Sequence, residues 1–393
     1  MSALINELEG NGWTVPDFKN SNLAISKQLA NSDKGRLIGQ RRKKLFMIID
    51  GMGYGLANEM LGEAGMARRY SDWLNIRELT SIFPSTTGNV LSSIYSGLPT
   101  ARHGVVGTKV PFKEAGMVVN VLGFSAALGK DLKLWRIDPK TFYPKPKMIN
   151  GLKKRGVFRS LLNEGILGTG LSTSVFENSD VMPFATFDDM FISINDLAEK
   201  GTRYIFAYYD VIDHMQHLYG PDARQPREAL HSLFASMKRI LKPSIIDDDY
   251  DVIITSDHGQ TEIPEKNNIE IKSDSRLLDF LDAPPWGEGR SLFVHVAAGK
   301  ENAFEDYFDS KLGKRAILVD SDEAISSGLF GGAKVDDSLR YRFGTHIILP
   351  KDHFAMPYKY PSINTRTPDK FPMVGSHGGL TKEEMGVPLL TNF

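Results

Sequence analysis

The sequence predicts an α/β fold: a central, mostly parallel sheet with helices on both faces, and an inserted α+β subdomain. Three observations predict it. The runs LFMIID (45–50), RYIFAYYDVID (203–213) and DVIITSD (251–257) are almost continuously apolar, as parallel strands buried on both faces are. The stretches between them repeat apolar residues at helical spacing, as in REALHSLFASMKRILK (227–242), so helices alternate with strands. From about residue 265 the pattern changes to shorter, mixed elements.

In chain order, residues 1–40 read as a small peripheral N-terminal element. Leu4, Ile5 and Leu8, then Leu23, Ile25 and Leu29, have loose helical spacing. Arg41-Arg42-Lys43-Lys44 reads as the solvated entry to the first strand. The core is expected over 41–264 and again over 371–393. Between these, 265–370 is expected to form an inserted cap subdomain. It offers a strand (RSLFVHVAA, 290–298), a helix (ENAFEDYFDSKLG, 301–313) and a strand (RAILVD, 315–320), a βαβ-like unit, followed by another helix and the strand THIILP (345–350). Residues 350–372, rich in Pro, Lys and Tyr, read as a long surface loop.

Charge and composition narrow the function. With 47 basic and 48 acidic residues, a net charge of -1 gives no footprint for nucleic acid or an anionic membrane. An anionic ligand therefore needs a local charge, such as a metal ion. The chain has no cysteine, so a zinc site must be built from His and carboxylate. The segment MSALINELEGNGW lacks the basic start and apolar run of a secretory signal, and no apolar stretch approaches the ~20 residues of a membrane span. A cytoplasmic location is the expectation.

Each of the three strand-like runs ends in aspartate: Asp50, Asp213 and Asp257. In an open parallel sheet the ligand crevice lies beyond the carboxyl ends of the strands. Three carboxylates crowded there repel one another, and a divalent cation removes that cost. Histidines accompany them. His258 follows Asp257 directly, His217 lies four residues after Asp213 on the same face of a helical turn, and His377 sits between glycines in GSHGGL. Three Asp and three His make an N,O donor set suited to zinc and tolerable for manganese or iron. Asp210 and His214 share the four-residue spacing and form a rival pair.

A hydroxyl cluster, Ser85, Thr86 and Thr87, follows Pro84 and precedes the helix-like NVLSSIYSG. A hydroxyl at a helix start either caps the helix or serves as a nucleophile, with helix N–H groups receiving a phosphate oxygen. An alcohol is a poor nucleophile at neutral pH unless a metal stabilises the alkoxide.

Taken together, IIDGMGYG (48–55), FPSTTGN (83–89), SGLPTARHGVVG (96–107), YYDVIDHMQHLYGP (208–221), TSDHGQTE (255–262) and GSHGGLTKEEMGVPLL (375–390) resemble the alkaline phosphatase superfamily. Within it they resemble the type I phosphodiesterase / nucleotide pyrophosphatase family, in the family's order and over most of the chain from residue 45. The resemblance implies an alkaline phosphatase-like core and two divalent metal ions, zinc first. One site would use Asp50, Thr87, Asp257 and His258, and the other Asp213, His217 and His377. It places the nucleophile at Thr87 rather than Thr86, and it favours Asp213/His217 over Asp210/His214. It implies a small-molecule phosphate ester or nucleotide as substrate. Thr108 stands where relatives carry an Asn that binds phosphoryl oxygens, so it is a weak substrate-binding candidate, with Lys109 beside it. Gly88 stands where relatives often carry a Phe of the base-stacking pocket.

Other activities of the superfamily, phosphomonoesterase and phosphonate hydrolase, are the alternatives. A sulfatase is disfavoured by the missing cysteine. Gly51-x-Gly53-x-Gly55 after the first strand resembles a dinucleotide-binding loop, the mark of a Rossmann-type oxidoreductase. Its third glycine falls one position early, and Asp50 would repel a pyrophosphate there.

Overall fold

In the computed structural model, which describes residues 3–31, 37–41, 43–126, 132, 136–360 and 373–393, the three apolar runs form neighbouring strands. β1 (Lys43–Ile49) lies between β8 (Tyr204–Tyr209) and β9 (Tyr250–Thr255) and runs parallel to both. β2 (Asn75–Thr80), β6 (Phe158–Asn163), β7 (Val181–Phe184) and β16 (Gly386–Thr391) complete a seven-stranded sheet in the order β2-β16-β9-β1-β8-β6-β7. Only β16 runs against its neighbours. The mostly parallel sheet is thus as the sequence predicts.

Side chains alternate between the two faces, as strand geometry requires. Leu45, Met47, Ile49, Ile205, Ala207, Val252 and Ile254 pack against the helices Tyr54–Leu61, Phe187–Glu199 and Arg224–Ile240. Phe46, Ile48, Phe206, Tyr208 and Ile253 face the helices Asn22–Asn31, Thr87–Ser96 and Lys147–Arg155. Each fully buried aliphatic or aromatic side chain contributes about 1.5–3 kcal/mol. The N-terminal element is less peripheral than its sequence suggests. Leu4, Ile5, Leu8, Leu23, Ile25 and Leu29 all join the second of these layers, and Asn22 Nδ2 donates to the Asp257 carbonyl at 3.1 Å.

A second seven-stranded sheet is antiparallel throughout. It contains β3 (Lys109–Phe112), β4 (Met117–Asn120), β5 (Ser125–Ala126), β11 (Trp286–Glu288), β12 (Ser291–Val294), β13 (Ala316–Asp320) and β14 (His346–Pro350), in the order β13-β14-β12-β11-β3-β4-β5. The expected βαβ-like unit is split: β14 pairs between β12 and β13. The expected boundary at 265 also needs correction, because β3, β4 and β5 come from the part assigned to the core. Those strands have four, four and two residues, too short to stand out as periodic runs. A two-stranded antiparallel ribbon pairs β10 (Thr261–Glu262) with β15 (Gly375–Ser376). Of the expected loop 350–372, residues 361–372 lie outside the described residues, and Ala355 and Tyr358 bridge to Asn268 and Ile271. Among the described residues no helix is long and apolar enough to cross a membrane.

One ion pair fastens the second sheet to the C-terminal segment. Arg290, in the β11–β12 turn, donates from Nε to Glu384 Oε1 at 3.0 Å and from Nη2 to Oε2 at 2.9 Å, with both side chains fully buried. Glu384 also accepts the Gly379 N–H at 2.8 Å and closes a capping box with Thr381. Burial alone would push the Glu384 carboxyl up, but the Arg290 guanidinium outweighs it and holds the group below its ordinary value. A depressed folded pKa stabilises above the unfolded value of about 4.3, and that contribution is lost as pH falls through the folded value. Glu384→Gln leaves Arg290 buried without its counter-charge, so urea denaturation at pH 7 should show a loss of about 3–5 kcal/mol. The deficit relative to wild type should shrink as the pH is lowered below about 4.3. A loss under about 1 kcal/mol at pH 7 would show that the pair does not fasten the two sheets.

Candidate metal centre

The three aspartates gather because their strands are neighbours. Asp50 follows β1, Asp257 lies just beyond β9, and Asp213 sits in the first turn of the helix Val211–Tyr219, which follows β8. Gly51 permits the close approach. Its φ is +71°, and a Cβ there would lie 2.7 Å from Asp213 Cα. The Gly51 N–H donates to Asp257 Oδ1 at 3.3 Å, and Gln216 Nε2 donates to the Gly51 carbonyl at 2.7 Å.

The histidines turn Nε2 toward these carboxylates. His217 Nε2 is 3.3 Å from Asp213 Oδ2, and His377 Nε2 is 3.9 Å from Asp213 Oδ1. His258 Nε2 is 3.5 Å from both Asp50 Oδ1 and Asp257 Oδ2. Asp213, His217 and His377 therefore form one potential ligand group, and Asp50, Asp213 and His258 a second, each with its ligand atoms within 4.8 Å of one another. Asp213 belongs to both, and Asp257 adjoins the second. Asp210 and His214 belong to neither group.

In all three histidines Nδ1 meets a backbone carbonyl: Gly375 O at 2.8 Å for His217, Gly259 O at 3.2 Å for His258 and Ser85 O at 3.2 Å for His377. A carbonyl only accepts, so Nδ1 carries the proton and Nε2 keeps its lone pair toward the cluster. Asp50 Oδ1 and Asp257 Oδ2 are buried without a hydrogen-bond partner. Tyr208 donates its hydroxyl to the other oxygen of Asp50, and Gln260 Nε2 donates to Asp213 Oδ1 at 2.5 Å. Two buried carboxylate oxygens thus lack a donor, and the Nε2 atoms of the three histidines converge on the same cluster. That is the arrangement a divalent cation satisfies.

Charge burial leads to the same conclusion. Burial, then the Asp257 and Asp213 carboxylates, raise the Asp50 pKa well above its ordinary value. Burial, then Asp213, raise Asp257 to about 6. Burial also pushes His258 and His377 down to about 4, so their rings stay neutral, as metal ligands must. For His217 burial opposes charge, but Asp213 outweighs it and the pKa is raised.

The hydroxyl cluster divides its labour. Thr86 is the N-cap of the helix Thr87–Ser96, and its Oγ1 accepts from the Asn89 N–H at 3.4 Å. Ser85 Oγ donates to the Gly379 carbonyl at 2.8 Å and accepts the Gly378 N–H at 3.2 Å, which docks the His377 segment. Thr87 is left free of both duties, with its Oγ1 3.1 Å from His258 Nε2. Thr108 donates its backbone N–H to Glu288 Oε1 at 2.8 Å, and Lys109 Nζ lies 4.9 Å from the centre of the Tyr360 ring. Gly88 has no room for a side chain, since a Cβ would lie 2.7 Å from Val121 Cγ2.

Tyr208, Gln260 and Glu288 were missed in the sequence. Tyr208 reads as one more apolar strand residue, and Glu288 comes from the second sheet. Gln260 alone left a trace, two residues after His258 in TSDHGQTE.

The model of the type I phosphodiesterase / nucleotide pyrophosphatase family matches residues 45–378. No curated protein matches the chain. Among solved structures, murine ectonucleotide pyrophosphatase / phosphodiesterase 5 superposes with a TM-score of 0.61 at 16% identity, covering 88% of this chain and 87% of that one. Phosphonoacetate hydrolase from Sinorhizobium meliloti 1021, in complex with phosphonoformate, superposes with a TM-score of 0.64 at 15% identity, covering 91% and 92%. These likenesses agree with the alkaline phosphatase-like fold. With its family motifs spanning both halves of the clustered site, the chain belongs to the type I phosphodiesterase / nucleotide pyrophosphatase family and is an enzyme of the phosphoric ester hydrolase type.

Proposed function

We propose that the chain hydrolyses phosphate esters by transient transfer of the phosphoryl group to Thr87, at a centre for two divalent cations. The observation that carries this reading is the Thr87 hydroxyl, released from capping by Thr86 and 3.1 Å from the unprotonated Nε2 of His258. Asp50, Asp257 and His258 would hold one cation beside Thr87, and Asp213, His217 and His377 the other. The N,O donor set without thiolates suits zinc first, and manganese or iron as well. When bound, such cations lower the pKa of an adjacent hydroxyl and neutralise charge on phosphoryl oxygens.

The chain's own groups do the rest. Thr87 opens a ten-residue helix, so the positive end of the helix dipole faces the phosphoryl group. The Thr87 Oγ1–P bond forms as the P–O bond to the leaving group breaks; the Thr87 hydroxyl gives its proton to water, and the leaving oxygen takes one from water. Water then attacks phosphorus, the Oγ1–P bond breaks, and the hydroxyl regains its proton. The substrate is a small-molecule phosphate ester or nucleotide. The likeness to phosphonoacetate hydrolase supports a phosphonate as the second reading.

Thr87→Ala should lower turnover of bis-p-nitrophenyl phosphate or p-nitrophenyl phosphate by roughly 10³-fold or more while zinc content, measured by inductively coupled plasma mass spectrometry, is unchanged. Near-wild-type turnover would remove Thr87 as nucleophile. Tyr208 acts by turning Asp50 so that its unpartnered oxygen faces His258. Tyr208→Phe should weaken zinc binding about 10–100-fold in competition with a chelator, with the melting temperature of the metal-free protein little changed. Unaltered zinc affinity would show that Asp50 needs no such support.

A further inference from the structure

Gln260 is a polar side chain at a position where packing alone would favour an apolar one. It follows His258 and Gly259, immediately before β10, and is 4% exposed. Only one end of its amide is used. Nε2 donates to Asp213 Oδ1 at 2.5 Å and to the Asp213 carbonyl at 3.1 Å. Oε1 is buried and has no hydrogen-bond partner. A buried amide oxygen left unpaired costs free energy, and a methionine would fill a similar volume without that cost. The donor end is what the amide adds.

The neighbouring ribbon leaves room for it. A Cβ on Gly375 would lie 2.3 Å from Gln260 Oε1 and 2.5 Å from the Gln216 carbonyl oxygen. Gly375 has no positive φ, so close approach rather than backbone conformation calls for glycine there. The Gly375 carbonyl also accepts from His217 Nδ1 at 2.8 Å, so this one residue touches both Gln260 and His217.

Asp213 is a carboxylate with two possible allegiances, because it belongs to both candidate ligand groups. Its Oδ2 lies 3.3 Å from His217 Nε2 and its Oδ1 3.9 Å from His377 Nε2. Gln260 Nε2 bonds the carboxylate and the backbone carbonyl of the same residue, which holds the side chain in this rotation. A carboxylate offers about four lone-pair sites, so Asp213 can accept from Gln260 and still bind a cation. Asp50 and Asp257, by contrast, each keep an oxygen with no donor.

We propose that Gln260 is a positioning residue that commits Asp213 to the cation of His217 and His377, and so keeps the two sites distinct in affinity. The assignment rests on the two-cation reading above. Gln260 acts through Asp213 alone.

Competition for zinc between the loaded enzyme and a chromophoric chelator tests this without turnover. Wild type should hold two equivalents. Gln260→Met should weaken one of them about 10–100-fold and leave the other unchanged, with the melting temperature of the metal-free protein little altered. Double variants identify the equivalent. In a His258→Ala background, Gln260→Met should weaken the remaining equivalent by the same factor, and in a His217→Ala background it should have no effect. Two wild-type equivalents whose affinities Gln260→Met leaves unaltered would overturn the proposal and leave the two-cation reading standing. So would equal weakening of both equivalents, the mark of a general structural role, or an effect confined to the His217→Ala background. A single equivalent in wild type would overturn the two-cation reading, and the proposal with it.

Discussion

Three carboxylates are buried where adjacent strands β1, β8 and β9 end, and the site depends on how their charge is met. Parallel pairing fixes the spacing: Ile49 is in register with Tyr209, and Ile48 with Thr255, so the residues that follow emerge side by side. Burial and mutual repulsion push Asp50 and Asp257 upward, while neighbouring imidazoles hold Asp213 down. Protonation is one way to relieve that repulsion. Divalent cations are a better one, because they also satisfy the unpartnered oxygens of Asp50 and Asp257.

The rest of the scaffold keeps these groups aimed. Backbone carbonyls fix the tautomer of all three histidines, so their second nitrogen keeps its lone pair toward the cluster. Ser85 docks the His377 segment onto the start of the helix that Thr87 opens. Glu384, paired with Arg290, grips the same segment from the other side through the Gly379 N–H. The second sheet thereby supports the centre while supplying none of its candidate ligands.

Much of this was legible in the sequence, for a physical reason. A strand that ends in aspartate announces itself, because a charge terminates an apolar run, as at Asp50 and at Asp257 with His258; Asp213 and His217 lie in the helix just after β8, and His377 sits between glycines. Local sequence left Thr86 and Thr87 alike as helix caps, and in the structure it is Thr86 that accepts the Asn89 N–H. Tyr208 was hidden because a tyrosine inside RYIFAYYDVID looks like core, and only the fold brings its hydroxyl to Asp50. The second sheet was misjudged because β3, which carries β4 and β5 with it, pairs with β11 more than 150 residues away in sequence, and nothing in so short a run specifies a distant partner. The N-terminal helices were underestimated because loose apolar spacing does not reveal the layer they cover.

The claim that these side chains meet around two cations is open to a direct measurement. Anomalous diffraction from crystals of the zinc-loaded protein, recorded on both sides of the zinc absorption edge, should give two peaks. One should lie among Asp50, Asp257 and His258, and the other among Asp213, His217 and His377, roughly 3.5–4 Å apart. A single peak elsewhere on the surface, or none in fully active crystals, would contradict the account.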